Sequence, residues 1–423
     1  MKNRFYYFTT LVLIFSSSLG YLKAQEISID DCQQLARANY PAIKQLDLIE
    51  KSAAFQLSNI SKAWLPQLSL NAKATYQSDA IKIDIPPAGI KLNQSKDQYN
   101  VALDVSQTIW DGGATKAQKS LTKAQSETEK QKVELDLYAL TDRVNQLFFG
   151  ILLINEQLQQ IRILKADLET NIKKVQALEA NGIAYASDVD MLMVEQINAN
   201  QREMDLQLTQ KSFIEMLSAF TKKELNQQTI YQKPLLPQVK TDSINNRPEL
   251  LLLNQQYKLY ESQRELVKTS TRPKLGLFAQ GGYGRPGLNM LANDFMPYYI
   301  GGVRLSWNIS SFYTRKNELE KITVQQNSVN TQRETFIFNT SLQNKQQLNE
   351  IDKLKSAMAN DDKIIALRTR IKTATSARVD NGTATVTDLI RDLNAENNAK
   401  QMRSLHEIQL YSAIYQLKYQ TNN

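Results

Sequence analysis

The sequence has 423 residues, with 51 Lys and Arg against 43 Asp and Glu, one His, one Cys, ten Pro, fourteen Gly and 42% apolar residues. His406 and Cys32 each stand alone, which excludes a Cys/His zinc site, a disulfide framework and a two-histidine metal triad; a serine-hydrolase triad would need His406 as base, and no G-x-S-x-G elbow accompanies it. No G-x-x-x-x-G-K-[ST] and no strand-linked G-x-G-x-x-G offers a phosphate cradle, and so little Pro and Gly over this length implies long uninterrupted elements.

In chain order, residues 1–24 read as a secretory signal: Lys2 and Arg4, the apolar run Phe5 to Phe15, the small residues Ser16 to Gly20, and a cut after Ala24. Losing Lys2, Arg4 and Lys23 lowers the formal balance from +8 to +5. The remaining Lys and Arg are dispersed among Glu, Asp and Gln, so no nucleic-acid partner is expected. Cys32 follows Asp30 and Asp31 rather than a small-residue stretch. It reads as an inert buried thiol, not a lipid anchor. Beyond the signal, nothing approaches the roughly 20 apolar residues of a spanning helix, the longest run being Leu147 to Ile154. Entry into a membrane would require strands.

A helical stretch, Pro41 to Ala63, leads into strand 67–77, where Leu68, Leu70, Ala72, Ala74 and Tyr76 alternate with polar residues. Ser78 to Lys96 reads as a loop through Pro86-Pro87 and Gly89. Strand 99–110 follows, with Tyr99, Val101, Leu103, Val105 and Ile109 on one face. From near Gly113 to Asn181 the spacing predicts a single helix of roughly 100 Å at 1.5 Å per residue. Its positions Leu137, Leu140, Val144, Leu147, Ile151, Ile154, Leu158 and Ile161 make a heptad seam that calls for partner helices. A tight turn and a returning helix, Tyr185 to Lys223, complete the half.

The same order is then written again. Pro41 and Pro66 match Pro248 and Pro273 at an offset of 207; from Ser106 and Ser306 onward the offset is 200, so the length change falls in the loop between the strands. The second half has a helix Pro248 to Ser270, strands 273–283 (the weaker pattern) and 298–309, a long helix from near Phe312 to Asn381, and a returning helix. The expected organisation is a signal at 1–24, a first repeat at 25–240 with its tip near 181–187, and a second at 241–423 with its tip near 381–387. The fold class is mainly α with a small β portion.

Four amphipathic strands with aromatic ends resemble wall pieces of a membrane barrel, yet the smallest such barrels use eight. Unpaired backbone cannot be left in lipid, so several chains would contribute to one sheet. The alternative is an ordinary four-stranded sheet on a soluble helical protein.

Taken together, the Cys32-Gln-Gln-Leu35-Ala36 opening, both proline-marked repeats, the strand ending Leu103-Asp-Val-Ser-Gln-Thr-Ile-Trp110-Asp-Gly-Gly113 and the turns NGIAYASDV from Asn181 and NGTATVTDL from Asn381 resemble the TolC-like outer membrane efflux proteins over essentially the whole mature chain. The resemblance implies a homotrimer with a shared 12-stranded transmembrane β-barrel and an α-barrel of helical hairpins. It implies a passive exit channel of the outer membrane and periplasm, no enzyme and no cofactor, docked on a periplasmic adaptor and on an inner-membrane pump or secretion transporter. The competing readings are a periplasmic adaptor, which would show one hairpin between β halves, and a soluble coiled-coil scaffold.

Asn181, Gly182, Asn381 and Gly382 read as helix stops and as hairpin tips that would meet the adaptor. Asp188 and Asp388 open the next helices, Thr385 and Asp388 having capping-box spacing. The resemblance makes Asp388 a gate residue, a role compatible with capping. Arg391 stands where a second acidic ring is found in well-known members, and Ala384 where a gate-linking arginine is found. A mixed Asp388/Arg391 ring would then line the mouth.

Overall fold

The computed structural model describes residues 26–85, 90–235 and 246–422. The expected signal, Pro86, Pro87, Gly89 and the expected repeat boundary lie outside the described residues. The chain opens with β1 (Glu26–Ile27) and α1 (Ile29–Asn39). α1 is an addition to the expected elements, and its start is local: Ser28 Oγ accepts from the Asp31 amide at 3.1 Å while the Asp31 carboxylate accepts from the Ser28 amide at 3.2 Å, a capping box. Next come α2 (Ile43–Ser61), one 3-10 turn (Lys62–Trp64), β2 (Gln67–Tyr76), β3 (Lys82–Ile85), β4 (Ile90–Asn93) and β5 (Asp97–Trp110). The segment read as a plain loop thus carries an antiparallel hairpin, Lys82 opposite Asn93 and Ile85 opposite Ile90, because Ile-Lys-Ile-Asp-Ile and Ile-Lys-Leu-Asn alternate on either side of the prolines.

The remaining elements are α3 (Ala114–Ala180), α4 (Ala186–Thr221), β6 (Ile230–Tyr231), α5 (Pro248–Thr269), β7 (Lys274–Arg285), β8 (Met296–Ser306), α6 (Ser311–Asp380) and α7 (Val386–Thr421). The chain divides into two compact units. One gathers residues through Ile43, Asp136–Arg247 and from Ile337 onward; the other holds Lys44–Leu135 and Pro248–Phe336.

The second unit is organised by an antiparallel sheet ordered β2-β5-β7-β8. Its register aligns apolar rows across the strands: Leu70 with Leu103, Leu103 with Gly281, Gly281 with Tyr299; and Ala72 with Val101, Val101 with Tyr283. Because side chains alternate with a period of two, these rows occupy one face. Leu70 is 71% exposed, Leu68 67% and Val303 66%. The other face is wet: Asp104 accepts from Asn71 Nδ2 at 2.7 Å and from Gln280 Nε2 at 2.6 Å. β7 is a central strand despite its weak pattern. Gly282 seats a side chain from β8, for a Cβ there would lie 2.5 Å from the Tyr298 ring.

In the helical unit the heptad seam of α3 is buried as expected, Leu137, Val144, Ile151 and Ile161 being at most 1% exposed. Phe148, fully buried, centres a cluster that joins Cys32 and Ala36 of α1, Ile214 and Leu217 of α4, Tyr231 of β6 and Ile408 of α7. Cys32 has no exposure, and burial pushes its thiol up to about 12. α3 contains an apolar stretch, half of it buried. Its length and composition would suffice to cross a membrane, but the apolar stretch around Phe148 to Leu152 is spent on this core.

Candidate functional site: the hairpin tips

Both helical hairpins turn by the same mechanism. At the first tip the Ile183 amide donates to the Leu178 carbonyl at 2.9 Å and the Gly182 amide to Glu179 at 2.8 Å; at the second, Thr383 donates to Arg378 at 2.8 Å and Gly382 to Val379 at 2.9 Å. These are Schellman closures with glycine in the left-handed region, φ +74° at Gly182 and +70° at Gly382. Asn181 and Asn381 each donate from Nδ2 to the carbonyl four residues back, Ala177 and Ala377, at 2.7 Å. An added Cβ at either glycine meets nothing within 4 Å, so φ alone constrains the position. Gly382→Ala should therefore cost about 1 kcal/mol without a packing defect; denaturation of the purified variant measures it, and a loss of 3 kcal/mol or more would mean hidden contacts.

The returning helices start on aspartate. Thr385 Oγ1 accepts from the Asp388 amide at 3.1 Å, and the Asp388 carboxylate accepts from the Thr385 amide at 3.3 Å, so the expected capping box is formed. At the first tip Asp188 accepts from the Tyr185 amide at 3.0 Å. Hydrogen bonds from Thr385 first, then the Arg391 charge, hold the Asp388 carboxyl below the usual carboxylate range. Arg391 pairs with Asp388 at 3.0 Å, one helical turn away, and with Asp392 at 3.3 Å. Asp392 is buried and accepts from Thr375 Oγ1 at 2.7 Å. Asp388 and Arg391 thus stand together on one exposed helix start.

Behind the tips, Val175, Val189 and Leu192 of the first hairpin pack with Val379, Leu389 and Leu393 of the second. Ala184 and Ala384 lie against this cluster; a long cation at 384 would have to leave it. Polar links join like helices of the two hairpins. Lys372 of α6 reaches Asp167 of α3 at 3.1 Å, Lys174 of α3 reaches Asp380 of α6 at 3.5 Å, and Asn394 of α7 donates to Glu195 of α4 at 3.3 Å. A hollow of about 370 Å³ lies between them, with Asp167, Lys174, Lys372 and Asp380 on its walls.

The strongest polar node escaped the sequence reading. Glu396 on α7 has a side chain 4% exposed and receives Lys372 at 2.7 Å, Lys400 at 2.9 Å and Thr369 Oγ1 at 2.7 Å. Burial alone would raise its carboxyl, but Lys372, Thr369 and Lys400 outweigh burial and bring it to about 2. Only the Glu396/Lys400 spacing of four was visible in sequence. No group of three or more His, Cys, Asp or Glu suited to a metal occurs among the described residues.

Residues 33–220 match the model of the outer membrane efflux protein family. No curated protein sequence matches the chain. Among solved structures, the chain is similar to the outer membrane protein VceC of Vibrio cholerae (TM-score 0.70, 11% identity, 93% of this chain and 96% of that one). It is also similar to the CmeC outer membrane channel of Campylobacter jejuni (0.68, 14%, 93% and 85%) and the open-state MtrE outer membrane channel of Neisseria gonorrhoeae (0.66, 12%, 93% and 89%). CmeC and MtrE are outer membrane channels. Residues 33–220 thus match the outer membrane efflux protein family and nine-tenths of the chain shares the fold of outer membrane channels, in agreement with the resemblance read from the ordered motifs.

Proposed function

We propose that this efflux-type outer-membrane channel works as a homotrimer, three copies of β2-β5-β7-β8 closing a 12-stranded barrel in the outer membrane while the helical hairpins form a passive duct in the periplasm. The observation that carries the reading is the sheet: an apolar face left exposed along all four strands, with β2 and β8 unpaired at its edges. In lipid such edges must be paired, and in water such a face would associate. From Tyr99 to Trp110 the strand climbs about 36 Å at roughly 3.3 Å per residue; a tilt of roughly 40° brings that to about 28 Å, near the ~25 Å apolar band of outer-membrane barrels. In the helical unit, α4 exposes Val194, Ile197, Met204 and Leu208, and α6 exposes Ile364, Leu367 and Ile371. Two such seams on different hairpins suit a head-to-tail ring of copies.

The matching order of strands, tip and returning helix in 25–240 and 241–423 supports an origin by duplication. An adaptor docking on the tips around Asn181, Gly182, Asp188, Asn381 and Gly382, and a partner that supplies energy from the inner membrane, follow from the family reading. Cell fractionation with molar-mass measurement in detergent tests the assembly. Outer-membrane recovery as a trimer is expected, and a water-soluble monomer overturns it.

Asp388 and Arg391 are the proposed mouth residues, a close pair of opposite sign that would moderate charge preference near a three-fold axis. Single-channel recording of Asp388→Asn and Arg391→Ala should show opposite shifts in ion preference; unchanged conductance and preference in both would remove them from the mouth.

A further inference from the structure

The wet face of the sheet carries a feature that the duct reading does not use. Phe278 on β7 stands opposite Gly302 on β8, and its ring lies over that glycine, where a Cβ would come within 3.1 Å of it. The Arg304 guanidinium, two residues along the same face, sits 4.8 Å from the ring centroid. Glycine under ring and ring under guanidinium fix a cation that would otherwise sample many rotamers. The next row is Thr108, Gly276 and Arg304. Gly276 has no side chain to fill it, and a Cβ there would lie 2.9 Å from the Gln107 carbonyl oxygen. The result is a hollow of about 170 Å³. Its rim holds two cations, Arg304 and Lys274, and three hydroxyls, Ser106, Thr108 and Ser306. No carboxylate lines it, and among the described residues neither Arg304 nor Lys274 has an ion-pair partner. Asp104, on the same face, is held by Asn71 and Gln280.

We propose that this hollow binds a tetrahedral or planar oxyanion, the phosphate, sulfate or carboxylate group of a solute, and that in the trimer three such hollows give the barrel lumen an anion-favouring collar. The guanidinium presents paired N–H donors suited to such a group, the hydroxyls supply further donors, and Lys274 adds a second positive charge. The collar rests on the duct reading, which turns the wet face toward the lumen; the binding site itself does not.

Two measurements on the full chain separate the two. Titration of inorganic tripolyphosphate into the detergent-solubilised protein should show binding that weakens about tenfold in Arg304→Gln and again in Lys274→Gln, both exposed positions where folding is preserved. In planar bilayers the same probe should block the wild-type channel at about tenfold lower concentration than the double variant, and the double variant should be shifted toward cations. Equal binding by wild type and double variant overturns the site. Binding lost in the variants with block and ion preference unchanged keeps the site and overturns the collar, and absence of any channel with binding retained does the same while sinking the duct reading.

Discussion

Phe148→Ala should lower the stability of the helical unit by about 3–5 kcal/mol. Phe148 is the largest fully buried side chain of the described residues, with edge contacts to Phe149 at 6.0 Å and Tyr231 at 5.9 Å between ring centroids. Its removal leaves a void where α1, α3, α4, β6 and α7 meet. Such a void cannot collapse easily, because the cluster around it draws on several separate elements held by other contacts, so the cost belongs at the upper end for an aromatic deletion. Chemical denaturation of the purified protein, followed by helical circular dichroism, provides the measurement. Phe148→Leu should cost less than half as much, and a Phe148→Ala effect under 1 kcal/mol would show that the cluster is not a packed core.

Lys372→Met should destabilise the tip region by about 2–4 kcal/mol, since it strands Glu396 in a buried position with Lys400 and Thr369 as its remaining partners. The variant also removes the Asp167 link between α6 and α3. Loosened hairpins should appear as faster amide exchange in α7 around Glu396 and, in bilayers, as more frequent openings. The pH dependence has a definite sign. The Glu396 carboxyl lies at about 2 in the fold against 4.5 when free. Its contribution is complete above about pH 4.5 and is lost as pH falls toward 2, amounting to about 2 kcal/mol once solvent screening is allowed for. Without Lys372, burial acts against fewer opposing groups, so the carboxyl rises and the loss on acidification shrinks. Wild type and Lys372→Met should therefore converge in stability between pH 5 and pH 2. A gap that stays constant over that range would mean that Lys372 acts through packing alone.

Much of this was readable in the residues themselves. The α3 seam was legible because spacings of 3 and 4 report a buried stripe whichever helix covers it, and all its named members except Leu147 are buried. The tips were legible because Asn-Gly followed by an aspartate a turn later specifies both the stop and the restart through local hydrogen bonds. What resisted was tertiary. Lys372 and Glu396 sit 24 residues apart on different helices, and periodicity names a face without naming the partner. β7 looked weak because Gly281 breaks its apolar row and Phe278 stands among the positions of the other face; the value of Gly276, Gly282 and Gly284 on that face lies in the ring and backbone brought close to them. The β3–β4 hairpin was outweighed by Pro86, Pro87 and Gly89, although alternation flanked them on both sides. α1 was announced by Ser28 and Asp31, a pair too short-ranged to register as part of the repeat.

The bare margins of β2 and β8 set the conditions of biogenesis. Under the proposed trimer, whose greasy ribbon acquires a permanent cover only from lipid and sister chains, a lone polypeptide has no finished state of lowest free energy to fall into. Completion therefore scales with how many copies meet, not with how fast one copy collapses. The same proposal implies that during the aqueous crossing the ribbon needs an escort that masks it, and that a cell making this polypeptide faster than it is escorted and inserted should accumulate clumps rather than spare subunits.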